Sequence, residues 1–215
     1  SLPPAHEFGA SLKDVSLTLN AGEVLGIGGV AGNGQDELLA ALAGETLSAP
    51  GTIRMEGRDL SRLGPEARRR AGLLTAPEER LGHAAAPDLS LTENALLSAA
   101  TRERLVSRGF IDWSRTRRFA EGVIDRFDVR TPGAGTAAGA LSGGNLQKFV
   151  IGREIAQTPR VLVVNQPTWG VDAAAAATIR QALLDLAADG SGVIVISQDL
   201  DELMEVSDRF AALTE

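Results

Sequence analysis

Two uninterrupted apolar runs, Val161-Leu162-Val163-Val164 and Val193-Ile194-Val195-Ile196, constrain this chain more than any other feature. A strand with one wet face alternates apolar and polar residues. A strand that is apolar throughout is covered on both faces, as in a parallel sheet flanked by helices. Between the runs, Ile179, Leu183, Leu186 and Ala187 recur at helical spacing up to Gly190, and Asp199 to Val206 reads as a further helix. This alternation predicts an α/β fold.

Upstream, Val15, Leu17 and Leu19 alternate with Ser16 and Thr18, which predicts a half-exposed strand. Glu23 to Gly28 reads as a strand entering a glycine-rich loop, Gly28 to Gly34. A helix follows from Gln35, with Leu38, Leu39 and Leu42 on one face. Short strands are expected at Thr52–Met55 and Gly72–Thr75. The middle, Pro77 to Ala140, holds helical stretches around Glu93–Ala100 and Trp113–Phe127. A loop of small residues, Thr131 to Ala140, feeds the next helix.

Composition narrows the functional classes. The 215 residues suffice for one domain with an attached subdomain. Formal net charge is −7, which argues against a nucleic-acid binder acting through general electrostatics. The basic run Ala67-Arg68-Arg69-Arg70 beside Glu66 reads as a solvated helix face. With no cysteine, thiol catalysis and disulfides are excluded, and the distant His6 and His83 argue against a zinc site; no metal ligands are assigned. No apolar run reaches bilayer length and no signal peptide opens the chain. The first residue is Ser. The expectation is therefore a cytoplasmic piece of a longer polypeptide that meets the membrane through a partner.

Five segments carry chemical information. Gly29-Val30-Ala31-Gly32-Asn33-Gly34-Gln35-Asp36 has the glycine spacing of a phosphate-binding P-loop, in which backbone N–H groups at a helix N-terminus cradle phosphate oxygens. Its last two positions depart from that motif. Gln35 stands where a lysine would reach the outer phosphates, and Asp36 where a hydroxyl would hold magnesium. Taken alone, the segment also fits a glycine turn between strand and helix. Leu141-Ser142-Gly143-Gly144-Asn145 opens a helix with Leu146, Phe149 and Val150 on its apolar face. A hydroxyl and glycine N–H groups at a helix start form an anion site; the plainer reading is a Ser N-cap.

The run Val161–Val164 leads into Asn165-Gln166-Pro167-Thr168-Trp169-Gly170-Val171-Asp172. An amide at Gln166 cannot take a proton from water as a carboxylate can. Val195-Ile196-Ser197-Gln198 ends the second run, and Ala76-Pro77-Glu78 follows an earlier strand.

In this order the five segments, from about Leu12 to Ala212, resemble an ATP-binding-cassette domain. LSGGN is similar to that family's signature, LSGGQ. The resemblance implies a P-loop NTPase-like core with a parallel sheet, a strand-rich N-terminal edge and an inserted helical subdomain. Residues 1–77 and 158–215 would form the core and 78–157 the insert. Against the family pattern, Asn165 replaces the magnesium-associated Asp, Gln166 the catalytic Glu, Gln198 a phosphate-contacting His and Glu78 a Gln; Asp172 closes the D-loop.

GVAGNGQ, LSGGNLQK and NQPTWGVD are most similar to the second cassette of fused, two-cassette subunits of bacterial sugar or nucleoside importers. The resemblance implies ATP with magnesium in the intact transporter, and weak or no nucleotide binding by this domain alone. It implies a partner cassette fused upstream, transmembrane permease subunits meeting the groove near Glu78–Asn94, and a periplasmic solute-binding protein acting indirectly. The chain would sit on the cytoplasmic face of the inner membrane. Cassettes of the family pair head to tail, so the damaged P-loop beside an intact signature implies an asymmetric pair. Three other classes stay open: a DNA-repair or chromosome-organising head, an interaction module without nucleotide, and a small-molecule kinase.

Overall fold

The computed structural model describes residues 11–214. His6 therefore lies outside the described residues. A five-stranded parallel sheet forms the centre, in the order β4 (Leu73–Ala76), β7 (Val161–Asn165), β8 (Gly192–Ser197), β1 (Val24–Gly28), β9 (Arg209–Ala212). Side chains of adjacent positions in a strand point to opposite faces. Leu162, Val164, Val193 and Val195 accordingly join one apolar cluster, while Val163, Ile194 and Ile196 join the other. Both apolar runs are sandwiched, as their composition predicts.

One face is covered by α5 (Gly143–Ile155), α6 (Ala173–Ala188) and α7 (Leu200–Val206), the other by α1 (Gln35–Ala43). Between β4 and β7 the chain forms α3 (Leu91–Ala99), a two-stranded hairpin of β5 (Val106–Ser107) and β6 (Phe110–Ile111), α4 (Trp113–Arg126), and then α5. No strand of this stretch joins the central sheet. α3 begins in a full capping box: Ser90 Oγ accepts from the N–H of Glu93, and Glu93 accepts from the N–H of Ser90. Gly152 lets α5 approach α4, since a methyl there would lie 2.5 Å from the ring of Phe127.

Two expectations are corrected, and one strand is new. Val15–Leu19 forms no ladder among the described residues. Val15 and Leu19 pack against the apolar cluster around α1, but Leu17 is exposed, and the segment lines an open cavity of about 860 Å3. Alternation supplies a strand's faces; without a neighbour for its N–H and C=O groups it makes no strand. At the N-terminal edge the paired strands are β2 (Arg54–Met55) and β3 (Arg58–Asp59), two residues each.

The basic run is solvated only in part, at Arg70, which pairs with exposed Glu66. It lies on α2 (Pro65–Ala71), and Arg68 is fully buried, donating to the carbonyls of Leu63, Ala41, Leu42 and Ser61. Its neighbour Arg69 reaches the buried carboxylate of Glu154 on α5, which also takes Arg153 and the hydroxyl of Ser98. Burial alone would push the Glu154 carboxyl up; the Arg69 and Arg153 charges and the hydrogen bonds from Arg69 and Ser98 hold it below the ordinary range. Finally, β9 has no counterpart in the sequence reading, and all four of its residues are exposed.

Candidate functional site

In a parallel sheet the carboxyl ends of all strands reach one edge, where α/β proteins gather their functional loops. Gly28 pairs with Ser197, Asn165 with Ile196 and Ala76 with Val164, so the segments after β1, β4, β7 and β8 open side by side. Four of the five sequence-predicted segments lie here. The fifth, Leu141–Asn145, arrives on the start of α5, with Gly144 packed against Asp172 and Ala175 at the start of α6.

The glycine loop after β1 turns through Gly32 and Gly34, at φ 88° and 100°. This left-handed region is open to glycine at low cost. Gln35, buried at the first position of α1, folds back so that its Nε2 donates to the carbonyl of Val30 at 2.9 Å. A methyl on Gly29 would lie 2.8 Å from the same nitrogen. The Gln35 amide therefore lies across the loop. Asn33 Nδ2 donates to the carbonyl of Leu213, just beyond β9.

At the end of β7, Asn165 is buried and its Nδ2 donates to Asp36 Oδ1 at 2.9 Å. Its Oδ1 is buried and has no hydrogen-bond partner among the described residues. Gln166 follows at φ 50°, with its N–H donating to Ile196 and its carbonyl accepting from Trp169. Gln166 Oε1 accepts a long hydrogen bond from the Gln198 N–H at 3.4 Å and lies 3.5 Å from Ser197 Oγ. Ser197 Oγ and Thr168 Oγ1 each donate to buried Glu202 at 2.6 Å, tying the loops after β7 and β8 to α7.

Glu78 follows β4, half-buried. Burial first, and then the negative charge of Asp36, raise its carboxyl above the usual value, with Arg80 opposing. At the signature-like segment, Ser142 caps α5: its Oγ accepts from Asn145 Nδ2 at 2.9 Å and from the Asn145 N–H at 3.5 Å. Asn145 Oδ1 in turn accepts from the N–H of Arg130. Leu141 packs against the core, Ser142 and Gly143 are exposed, and Asn145 is half-buried. Asp172 caps α6 by accepting from the Ala175 N–H at 2.9 Å. That bond first, against slight desolvation, holds its carboxyl below the usual range.

Sequence reasoning missed Arg80. It belongs to none of the five segments, yet it donates to the carbonyl of Trp169 and lies against Gly143. Proximity to Glu78 in the sequence was its one available signal. Among the described residues no three His, Cys, Asp or Glu side chains gather to hold a metal ion, and no helix is long and apolar enough to cross a membrane.

A glycine loop entering α1, a parallel sheet with its functional loops at one edge, and a capped helix bearing Ser-Gly-Gly define the fold of P-loop nucleotide-binding cassettes. The chain overlays with a TM-score of 0.78 on a dimeric ATP-binding cassette solved in a post-hydrolysis state with ADP and phosphate. That match has 23% identity and covers 94% of this chain and 86% of the other. The ABC transporter family matches residues 12–169, and the chain belongs to that family.

Among similar proteins are a glucose import ATP-binding protein of Haloferax volcanii, 42% identical over 95% of this chain, and a guanosine import ATP-binding protein of Bacillus subtilis, 37% identical over 95%. The chain covers 38% and 40% of those two relatives' lengths, or about two fifths.

Proposed function

We propose that this chain is the second, degenerate cassette of an ATP-driven importer of simple sugars or nucleosides, and that it works through its signature rather than its own P-loop. One contrast carries the reading. The P-loop side is filled by its own side chains, Gln35 on Val30 and Asn165 on Asp36, whereas Ser142, Gly143 and Gly144 keep the anion-site sequence at the start of α5. The similar glucose and guanosine import proteins support the solute class. Being more than twice as long as this chain, they also leave room for a second cassette fused upstream. Residues 78–157 form the helical subdomain and residues 1–77 and 158–215 the core, in accord with the stretch between β4 and β7 that adds no strand to the sheet.

Residues of the chain's own loop do not suit a magnesium-bound nucleotide. Asp36 sets a carboxylate at the positive end of α1, where phosphate would lie. Gln35 brings no charge, and Gln166 and Gln198 supply neither base nor protonatable imidazole. No chemical step is assigned to that loop. Gly29, Gly32, Asn33 and Gly34 shape it, and Glu78 and Asp172 border it and the signature.

ATP held by the partner cassette is the substrate on the other face. Ser142 Oγ–H and the N–H groups of Gly143 and Gly144 donate to its γ-phosphate, as the first N–H groups of a helix have no partner within it. Donors already in place where charge builds stabilise the transition state without reorganisation. Permease subunits dock at the groove near Glu78–Asn94 and hold the chain at the cytoplasmic membrane face; the periplasmic solute-binding protein acts through them.

Transport-coupled ATPase of the intact complex tests the asymmetry. Ser142→Arg is expected to cut the rate by roughly tenfold or more, about 1.4 kcal/mol of barrier. Gln35→Ala is expected to change it little. A dead Gln35 variant beside a normal Ser142 variant would overturn the reading.

A further inference from the structure

We propose that Arg80 is a positioning residue that locks the Ser142–Gly143 turn to the Trp169–Gly170 turn, so that the signature and the D-loop of this domain move as one body. The inference rests on the reading that the signature acts on the partner's ATP.

The three segments involved are remote in sequence and meet at one guanidinium. Arg80 Nη2 donates to the carbonyl of Trp169. A methyl placed on Gly143 would lie 2.8 Å from Nη1, and one placed on Gly170 3.3 Å from Nη2. A hollow of about 280 Å3 between the loop after β4 and the start of α5 is lined by Glu78, Arg80, Leu81, Leu141, Gly143 and Leu146, and Arg80 is its cation. A side chain at 143 would therefore have to displace the guanidinium, moving it away from this turn. Gly170 sits at φ 63°, which frees the backbone to bring the Trp169 carbonyl round to Arg80. Arg80 Nε is buried without a hydrogen-bond partner among the described residues, and the head is held through Nη2 on the Trp169 carbonyl.

Glu78, which lines the same hollow, feels the charges of both Asp36 and Arg80, so the glycine-loop and signature sides of this domain are linked electrostatically through it. Lysine cannot take over the role of Arg80. A single ammonium on a flexible stem does not fill the gap beside Gly143 and reach the Trp169 carbonyl together, whereas the guanidinium is a rigid fork.

The test uses the full-length subunit in its transporter complex, carrying Arg80→Met, Arg80→Lys, Ser142→Arg or, as a control in the exposed neighbour, Glu79→Gln. A positioning residue that acts after ATP has bound is expected to lower kcat by roughly tenfold and leave the KM for ATP within about twofold. Arg80→Lys is expected to remain impaired, and Glu79→Gln to match the parent. Fluorotryptophan labelling supplies the structural reading. The 19F resonance of Trp169, assigned by its loss in Trp169→Phe, is expected to broaden or split in Arg80→Met and Arg80→Lys, while that of Trp113 stays put.

An unchanged Trp169 resonance together with parental kcat in both Arg80 variants would overturn the lock. If Ser142→Arg is inactive in that experiment, the signature-in-trans reading stands without it. A normal Ser142→Arg enzyme would instead remove the reading on which the lock rests, with the Trp169 resonance still deciding whether the two turns are joined. Should Arg80→Met fail to fold, Arg80→Lys carries the same comparison.

Discussion

Asn165 and Asp36 hold each other: the amide nitrogen at the end of β7 donates to the carboxylate on the first turn of α1 across 2.9 Å. Relative to the family pattern implied by the sequence, the carboxylate and its neutral partner have exchanged sides. Restoring Asp at 165 would therefore set a buried carboxylate against the exposed one of Asp36. Asn165→Asp is expected to destabilise the chain by about 1–3 kcal/mol at pH 7, since a buried donor is lost and a like charge is added. Denaturant unfolding at pH 7 checks this; a variant as stable as the parent would contradict the pairing.

Nucleotide chemistry in the isolated chain is expected to be absent. Phosphate release should stay at background, and Gln166→Glu should not raise it, because groups that work as a unit are not restored singly. ATP binding followed by calorimetry should be weak and indifferent to magnesium. Turnover near one per second, at the low end for enzymes, would show the loop to be competent.

The buried Glu154 has a second consequence for stability. It is 1% exposed and takes Arg69, Arg153 and Ser98. Removing one partner of a buried charge cluster strands the others, so Glu154→Ala is expected to cost about 3–5 kcal/mol at pH 7. Because the folded state holds this carboxyl below its ordinary value of 4.5, its contribution is complete above that pH and fades as pH falls through the depressed value. Parent and variant should therefore converge in acid, as thermal melts at pH 7 and below 4 would reveal.

Glu78 behaves in the opposite sense. Its carboxyl is raised, by burial first and Asp36 second, so the folded state binds the proton more tightly than the unfolded chain. Stability falls as pH rises from the ordinary value of 4.5 through the raised one, and the penalty is full above it. Glu78→Gln is expected to raise the melting temperature at pH 8 and leave it unchanged at pH 4. A lower melting temperature at pH 8 would mean that Arg80 dominates the environment of Glu78.

Legibility followed physical cause. Val161–Val164 and Val193–Ile196 could be read because burial on both faces dictates composition residue by residue. The glycine loop, Ser142 and Asp172 could be placed because turns and caps are written in local residue types. β9 could not, since an exposed edge strand of Arg209-Phe210-Ala211-Ala212 needs no periodicity. Val15–Leu19 has the alternation of a strand, but its pairing partner is not a local property. Arg68 looked solvated because its acceptors are carbonyls of distant turns, which no side-chain pattern announces. Arg80 was invisible for the same reason: its partner is the backbone of Trp169.

The left-handed turn at Gln166 is held by peptide groups, its N–H on Ile196 and its carbonyl accepting from Trp169, besides the long bond to its side-chain oxygen. Such a conformation in a residue other than glycine costs on the order of 1–3 kcal/mol. A mould of this kind accepts different inserts without being recast, so new reactive groups introduced at 166 would be delivered to the same spot by the main chain.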